Sequence, residues 1–597
     1  MSLFGRGHGR DGQRLELPQH AANRAQRAAE LAANAKHYQY ERKNPLSASV
    51  PPWMARMPAP ESRRPENYPA LARLTGVAVR LWSYRLAATL RLALARRRKK
   101  HPFDRAAKDP YAFFHELYRG RFVPWAARGD TWKTDEAFGY QRLVGLTPAF
   151  LEAVVAIPPE FKVTDADVRR APAWPAGASI ADMAAARRLW MIRHPQAAGV
   201  AAKPGAVVCS PHCLLLERDD GKLVPVAIQL FVDSDVVFTP ADDLAPDGTR
   251  TNRWLVAKMF CTNVDALTHI FFSHCLLTHL LIEAWWGSAC RNLSDRHPFK
   301  ALLKPHTEGT HLIGQLFRPY YATPGGELVR LHQASFEGVW QLMRRRYAEW
   351  SFADLDVPSL HRKRGLDHPG ALPGYFYRDD SRRHFDLLEA YLRRVCTALY
   401  PADELIAGDF ELQAWVRDLA DPVAGCGLRG LPVDADGGIS TRDQLVKLLV
   451  GPLFQAIVQH SHVDNSGYHF FGFAPNMPLS LYLAPPRGHA VRFTDEQIAA
   501  ALPPPEDAAL QFALPFSNFP FHPRPRARFF HTSIGRFADD FMETLPPEPR
   551  QAVRAAVAAW QRDLDAYADF QESRDRSLWT GPYDLLNPRN MSNSVWY

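Results

Sequence analysis

From Thr251 to Trp286 the chain is rich in apolar residues, and this sustained run predicts one long helix. A second helix is signalled at its start by Thr441-Arg-Asp-Gln444, a capping box, and continues through LVKLLVGPLFQAIVQHSHVD. Gly451-Pro452 interrupts it, and a proline there removes a backbone donor and crowds the preceding turn, so a kink is expected. Short strand-like runs, AVVCS and VPVAIQLFV, fall within residues 206–232, ahead of the long helix. Residues 71–100 carry a helical stripe of Leu74, Val77, Leu81, Tyr84, Ala88, Leu92 and Ala95, with Arg80, Arg85 and Arg91 largely off it. Before them, residues 1–70 are rich in Ala, Arg and Pro and read as loosely ordered. Pro51, Pro52, Pro58, Pro60, Pro65 and Pro69 discourage continuous helix there. The pattern predicts a mainly α protein with a minor β-sheet, divided into an N-terminal arm and amphipathic helix, 1–105, and a body, 106–597.

Charge sharpens that division. Residues 1–100 hold 20 Lys/Arg against 6 Asp/Glu, while the rest of the chain holds 52 against 57. The helix at 71–100 therefore has two readings, packed on the body or resting as a basic interfacial helix on anionic lipid. A nucleic-acid arm is a third, but no recognition motif supports it and no nucleic acid is expected. With 46% apolar and 23% charged residues, the chain has ordinary globular composition. Its first residues carry no apolar core of a secretory signal, and no stretch of about 18 apolar residues predicts a membrane span. The expected location is cytoplasmic, with peripheral membrane contact through 71–100. Seven scattered cysteines suit free thiols in a reducing compartment. Cys209 and Cys213 flank His212, but no second pair completes a zinc site, so they read as core.

Candidate chemistry lies inside the long helix. In HIFFSHCLLTH, His269, His274 and His279 are five residues apart. On an α-helix a step of five leaves neighbours roughly 140° apart. A helix widened to i→i+5 bonding brings them to one face, and such π-bulges concentrate at functional sites. The competing reading is three separate core histidines. A second cluster, Gln459-His460-Ser-His-Val-Asp464, places His460 and Asp464 four apart on one face. Two helices could then offer His274, His279, His460 and Asp464 to one ion, and ligands of this kind without cysteine suit iron or manganese better than structural zinc. Glu283 lies four residues beyond His279 rather than beside a ligand, so no general base is placed for zinc hydrolysis.

Here the chain resembles the lipoxygenases. WLVAK (254–258), HIFFSHCLLTHLLIEAW and HPFKALLKPH (297–306) resemble that family's histidine-helix signature. QRLVGLTP, VPVAIQL, FTPADD, DVPSLHRKRG, YRDD, DFELQAW, QHSHVDN, APNMP and the closing PYDLLNPRNMSNSVWY follow in family order, covering about 110–597. The resemblance implies a large helical catalytic domain around a metal-bearing, π-distorted helix, of the bacterial type without an N-terminal β-sandwich. It implies one non-haem iron per chain, or manganese, held by His274, His279, His460, Asp464 and the main-chain carboxylate of Tyr597. It implies no catalytic side chain beyond a metal-bound hydroxide, and as substrates O2 and a polyunsaturated fatty acid or similar polyene.

The chain departs from the family near that metal. Asp464 stands where Asn is common, and Tyr597 where Ile is usual. Two family glutamines that link the fourth ligand to the substrate pocket read Ile270 and Gly467. His269 falls on a family position that is not normally a ligand, and is expected beside the metal or in the core. Phe317, before Arg318, aligns with a small residue that controls oxygen stereochemistry, and Tyr321 with a leucine that shields the reacting carbon. Three functions follow: a dioxygenase, a hydroperoxide isomerase or natural-product oxygenase on the same fold, and a silent lipid-binding homologue.

Overall fold

The structure, a computed structural model, describes residues 14–62, 75, 79, 82, 83, 86, 109–368, 370–516, 534–535 and 540–595. The reading of 1–70 as loosely ordered is corrected for residues 14–62, which fold onto the body. Arg24–His37 forms a helix (α1), opened by the Asn23 side chain accepting from the Gln26 amide at 2.9 Å. Around it Leu15, Leu17, Tyr38, Tyr40, Val50, Trp53 and Met54 are buried in the main core. After α1 the described residues hold only short helical turns, Pro45–Ala48 and Ala59–Ser62, so helix is discontinuous there as expected, but a largely extended segment with apolar side chains still gains by burying them. Polar groups fix its place: the Arg27 guanidinium pairs with buried Glu411, and the Met54 amide donates to Glu283 at 2.8 Å.

The body begins with α2 (Asp135–Val144), packed on an antiparallel sheet. Its Gly139 touches the sheet so closely that a Cβ would fall 1.7 Å from the Leu223 carbonyl oxygen. The sheet is a five-strand meander in sequence order: β1 Glu152–Ala153, β2 Leu189–Arg193, β3 His212–Glu217, β4 Leu223–Gln229 and β5 Val237–Phe238. The expected AVVCS strand does not form. Residues 206–210 are irregular, although Ser210 donates to Leu230 at 2.9 Å. One sheet face, with Trp190, Ile192, Leu215 and Ile228, joins the main core. The other, with Leu189, Met191, Leu214 and Val226, closes a smaller core with Phe161 and Trp174. Burial on both faces explains why these strands read as apolar runs rather than alternations. His212, Cys209 and Cys213 are buried there.

The long helix runs Arg253–Asn292 (α3). Asp243 opens it, accepting from the Trp254 and Leu255 amides at 3.0 and 3.3 Å. By length and composition α3 could cross a membrane, a test the sequence reading had it fail, but 83% of its most apolar window is buried inside the protein. Around it lie α4 (Thr310–Ala322), α5 (Glu327–Leu331) and α6 (Phe336–Glu349). Then come α7 (Phe376–Leu399), a composite helix α8 over 442–469, α9 (Pro505–Phe516) and α10 (Pro547–Asp575). The predicted capping box opens α8: Thr441 Oγ1 accepts from the Gln444 amide at 3.2 Å, and Gln444 Oε1 from the Thr441 amide at 3.0 Å. α7 packs between α8 and α10.

The expected amphipathic helix at 71–100 lies outside the described residues except for Thr75, Val79, Trp82, Ser83 and Leu86, which are helical and exposed.

Candidate metal centre

Both helices that carry candidate ligands are widened. In α3 the stretch His269–Leu280 is π-helical, and the Leu281 amide donates to the Leu276 carbonyl, five residues back. In α8 the π turn is Gln455–Gln459, three residues after Pro452, whose missing N–H has already broken the α ladder. A hydroxyl serves each stretch. Thr278 Oγ1 donates to the His274 carbonyl at 2.7 Å, and Ser461 Oγ donates to the Ile457 carbonyl at 2.7 Å. A threonine or serine four residues on thus takes up a carbonyl that a widened ladder leaves undersupplied.

The widening brings three histidines together. One ligand atom from each of His274, His279 and His460 lies within 4.8 Å of the others. The Nε2 atoms of His274 and His279 are 3.0 Å apart. The His460 ring stands edge-on to both, its centroid 5.5 Å from His274 and 4.9 Å from His279. Asp464 lies beside one of them, its Oδ1 3.9 Å from His274 Nε2, but is not within the three-histidine group itself. The π stretch is buried except at His274, Leu277 and His279, and the His274 side chain keeps 21% of its surface. Space therefore opens along the side where the two imidazoles meet.

This donor set fits a cation. Burial draws the His279 imidazole down to about 4. Burial, then the neighbouring imidazoles, hold His274 and His460 well below the ordinary histidine range. All three are neutral at pH 7 and present lone pairs, as a metal ligand must. Two nitrogens about 2.1 Å from one ion stand ~3.0 Å apart at a right angle and ~3.4 Å apart at a tetrahedral angle. The 3.0 Å separation of His274 and His279 would let both nitrogens reach one ion.

The remaining predicted positions separate. His269 stays outside the cluster: its Nδ1 meets the Leu146 carbonyl at 3.0 Å, and its ring centroid is 6.3 Å from that of His274. Phe317 is half-buried and stacks on Tyr320. Arg318 binds both oxygens of buried Glu283 at 2.7 Å, which ties α4 to α3 just beyond His279. Tyr321 is buried; burial and then neighbouring Cys275 of the π stretch push its hydroxyl far above the usual range. Tyr597 lies outside the described residues. Its chain segment reaches the third histidine's helix, where the Ser592 amide donates to Ser461 Oγ at 3.2 Å.

Ile270 and Gly467 are both buried, and Gly467 has no room for the family glutamine. A Cβ there would lie 2.6 Å from the Phe471 ring and 3.0 Å from Pro515 Cβ. Helix propensity favours a side chain over glycine by roughly 0.5–1 kcal/mol, whereas overpacking costs about 1–3 kcal/mol. Gly467→Gln is therefore expected to lower the thermal unfolding midpoint, and Phe471→Ala to recover much of that loss in the double variant. A stable Gly467→Gln single variant would show that Phe471 yields freely.

One network escaped the sequence reading. Asp265, mid-way along α3, is buried with Arg142, His194 and Thr147. Arg346 donates to His194 at 2.6 Å and lies over the rings of Phe150 and Phe272. The available signal was a carboxylate inside an apolar stretch of the helix.

A family model described as Lipoxygenase matches residues 124–495. The human "Polyunsaturated fatty acid lipoxygenase ALOX15B" is 30% identical over 80% of this chain and 68% of its own length. The rat "Hydroperoxide isomerase ALOXE3" is 30% identical over 81% of this chain and 64% of its own, so the chain spans about two thirds of these relatives. A solved structure named "Manganese Lipoxygenase" superposes with a TM-score of 0.77, covering 98% of this chain and all of that one at 20% identity, which speaks to the fold. Family model, relatives and architecture agree, and the chain belongs to the lipoxygenase family.

Proposed function

We propose that this chain is a non-haem metal dioxygenase that removes hydrogen from a polyunsaturated fatty acid, or a similar long polyene, and adds O2 to give a hydroperoxide. The observation that carries the proposal is the meeting of three neutral imidazoles, two of which, His274 and His279, keep accessible surface, with Asp464 beside His274. Those four residues, with the terminal carboxylate of Tyr597, form the proposed ligand set, and His/Asp donors without cysteine favour iron or manganese. When bound, such an ion supplies the one-electron change and the proton acceptor that hydrogen removal between two alkenes requires. The protein's share is position and environment. The π stretch aims two histidines at one point, and burial keeps them unprotonated. The test is elemental analysis of the protein followed by an oxygen electrode with linoleate. One equivalent of iron or manganese with oxygen uptake is expected, and metal-loaded protein inert toward a broad panel of polyenes counts against the proposal.

Two observations favour a second reading, isomerisation of a preformed hydroperoxide. A relative bearing that name is as similar as the dioxygenase, and aromatic Phe317 and Tyr321 occupy α4 beside the π stretch. Conversion of a fatty-acid hydroperoxide under argon would support it; none would remove it. A peripheral lipid contact through 71–100 is also proposed. Val79, Trp82 and Leu86, spaced three and four apart, share an exposed face. Vesicle binding should strengthen with anionic lipid, by about 1 kcal/mol per cation near the surface.

A further inference from the structure

The segment that follows α10 is tied to the body at two kinds of place. Away from the histidine cluster, the Leu586 carbonyl accepts from His384 Nε2 of α7 at 2.7 Å and from Gln571 Nε2 of α10 at 3.2 Å. The other two ties go to α8, at the residues directly after His460. The Ser592 amide donates to Ser461 Oγ at 3.2 Å, and the Tyr583 hydroxyl lies 3.2 Å from His462 Nδ1. Ser461, His462 and Tyr583 are all buried, so water does not compete for these bonds.

Each α8 side chain also holds a second group. Ser461 Oγ gives its one proton to the Ile457 carbonyl of the π turn, and so it can only accept from Ser592. His462 Nε2 meets the Gly145 carbonyl, just past α2, at 2.8 Å. A carbonyl only accepts, so the proton of the neutral ring sits on Nε2 and Nδ1 accepts from Tyr583. On the other side of His460, Gln459 Oε1 accepts from the Tyr377 hydroxyl of α7 at 2.6 Å. The backbone that carries the third histidine is thus gripped before and after it. Consecutive helix positions point about 100° apart, so ties at 461 and 462 resist both rotation and sliding of the segment against α8. Five residues follow Ser592, and such a length reaches at most ~18 Å, so fixing Ser592 limits where the chain terminus can go.

We propose that Ser461 and His462 are positioning residues that clasp the C-terminal segment to α8, so that His460 and the terminal carboxylate are presented to one ion in fixed register. The inference rests on the reading of His460 and Tyr597 as ligands. The probe is Mn2+ alone, added to the full-length protein. Its affinity is read by competition with a chelator, and its surroundings by electron paramagnetic resonance. Ser461→Ala is expected to weaken Mn2+ binding about 10–100-fold, the usual effect of losing a group that supports a ligand, and to change the Mn2+ resonance. Ser461→Thr keeps a hydroxyl that can reach the carbonyl four residues back, and should restore both. Tyr583→Phe, altered on the segment rather than on the helix, should shift affinity and resonance in the same direction as Ser461→Ala. Thermal unfolding checks each fold, and if Ser461→Ala does not fold, Tyr583→Phe decides, since it loses a single oxygen. Wild-type affinity and resonance in either folded variant, or equal loss in Ser461→Ala and Ser461→Thr, would overturn this inference alone. Wild-type protein that binds neither Mn2+ nor Fe2+ would overturn the ligand reading and the clasp with it.

Discussion

His279→Ala is expected to leave the purified protein nearly free of metal and without oxygen uptake. His279 meets His274 Nε2 to Nε2 at 3.0 Å and faces His460 edge-on, so its loss removes one of the three converging imidazoles. Changing residues that merely support a metal ligand typically costs about 10–100-fold in affinity, and loss of a ligand should exceed that. Elemental analysis supplies the measurement, with the oxygen electrode as a second readout. His269→Asn is the matched control. It removes an imidazole five residues from His274 that bonds the Leu146 carbonyl, and asparagine keeps a donor for that carbonyl. Metal should stay bound in that variant. Normal metal in His279→Ala, or equal loss in both variants, would count against the ligand set.

This contrast also marks what the sequence could and could not convey. A step of five between histidines is legible because it conflicts with α geometry, so the spacing itself demands a wider helix. The step of four between His460 and Asp464 needs no distortion, and Pro452 announces one upstream of it. The choice between His269 and the other two histidines was less legible. All three have the same spacing, and backbone partners at Leu146 and Val463, supplied by distant segments, engage the first. The N-terminal segment misled for a related reason. Its prolines and charges suggest a loosely ordered chain, but they do not tell whether its scattered apolar side chains find a core to enter. Trp53 and Met54 do, because α3 and α4 leave room for them and Glu283 accepts a bond from the Met54 amide.

The buried Asp265 network was least legible, since its members come from four separate segments, and it supports the largest expected effect on stability. The Asp265 carboxylate pairs with Arg142 and accepts from His194 Nε2 at 2.8 Å and Thr147 Oγ1 at 3.2 Å. Arg346 donates to His194 Nδ1, so the proton of the neutral ring sits on Nε2 and points at Asp265. Burial alone would raise the carboxylate's pKa; Arg142 and His194 outweigh it and hold the group below the ordinary aspartate range. Asp265→Ala leaves a guanidinium and an imidazole N–H unsatisfied in the interior, and a loss of about 3–5 kcal/mol is expected in chemical denaturation. Replacing both charges, as in Arg142→Leu/Asp265→Leu, should cost less than Asp265→Ala alone, because the Arg142 guanidinium is no longer left buried without its partner. The pH dependence has a fixed sign. A carboxylate with a depressed folded pKa stabilises above its unfolded value, near 3.9, and loses that contribution as pH falls through the lower folded value. Wild type should therefore lose stability between about pH 4 and the depressed value more steeply than Asp265→Ala does. The network lies on α3 four residues before the π stretch and reaches Phe272 within it through Arg346, so Asp265→Ala should also reduce metal retention. A folded Asp265→Ala protein with wild-type stability and full metal would mean that the ligand helix is held by its apolar packing alone.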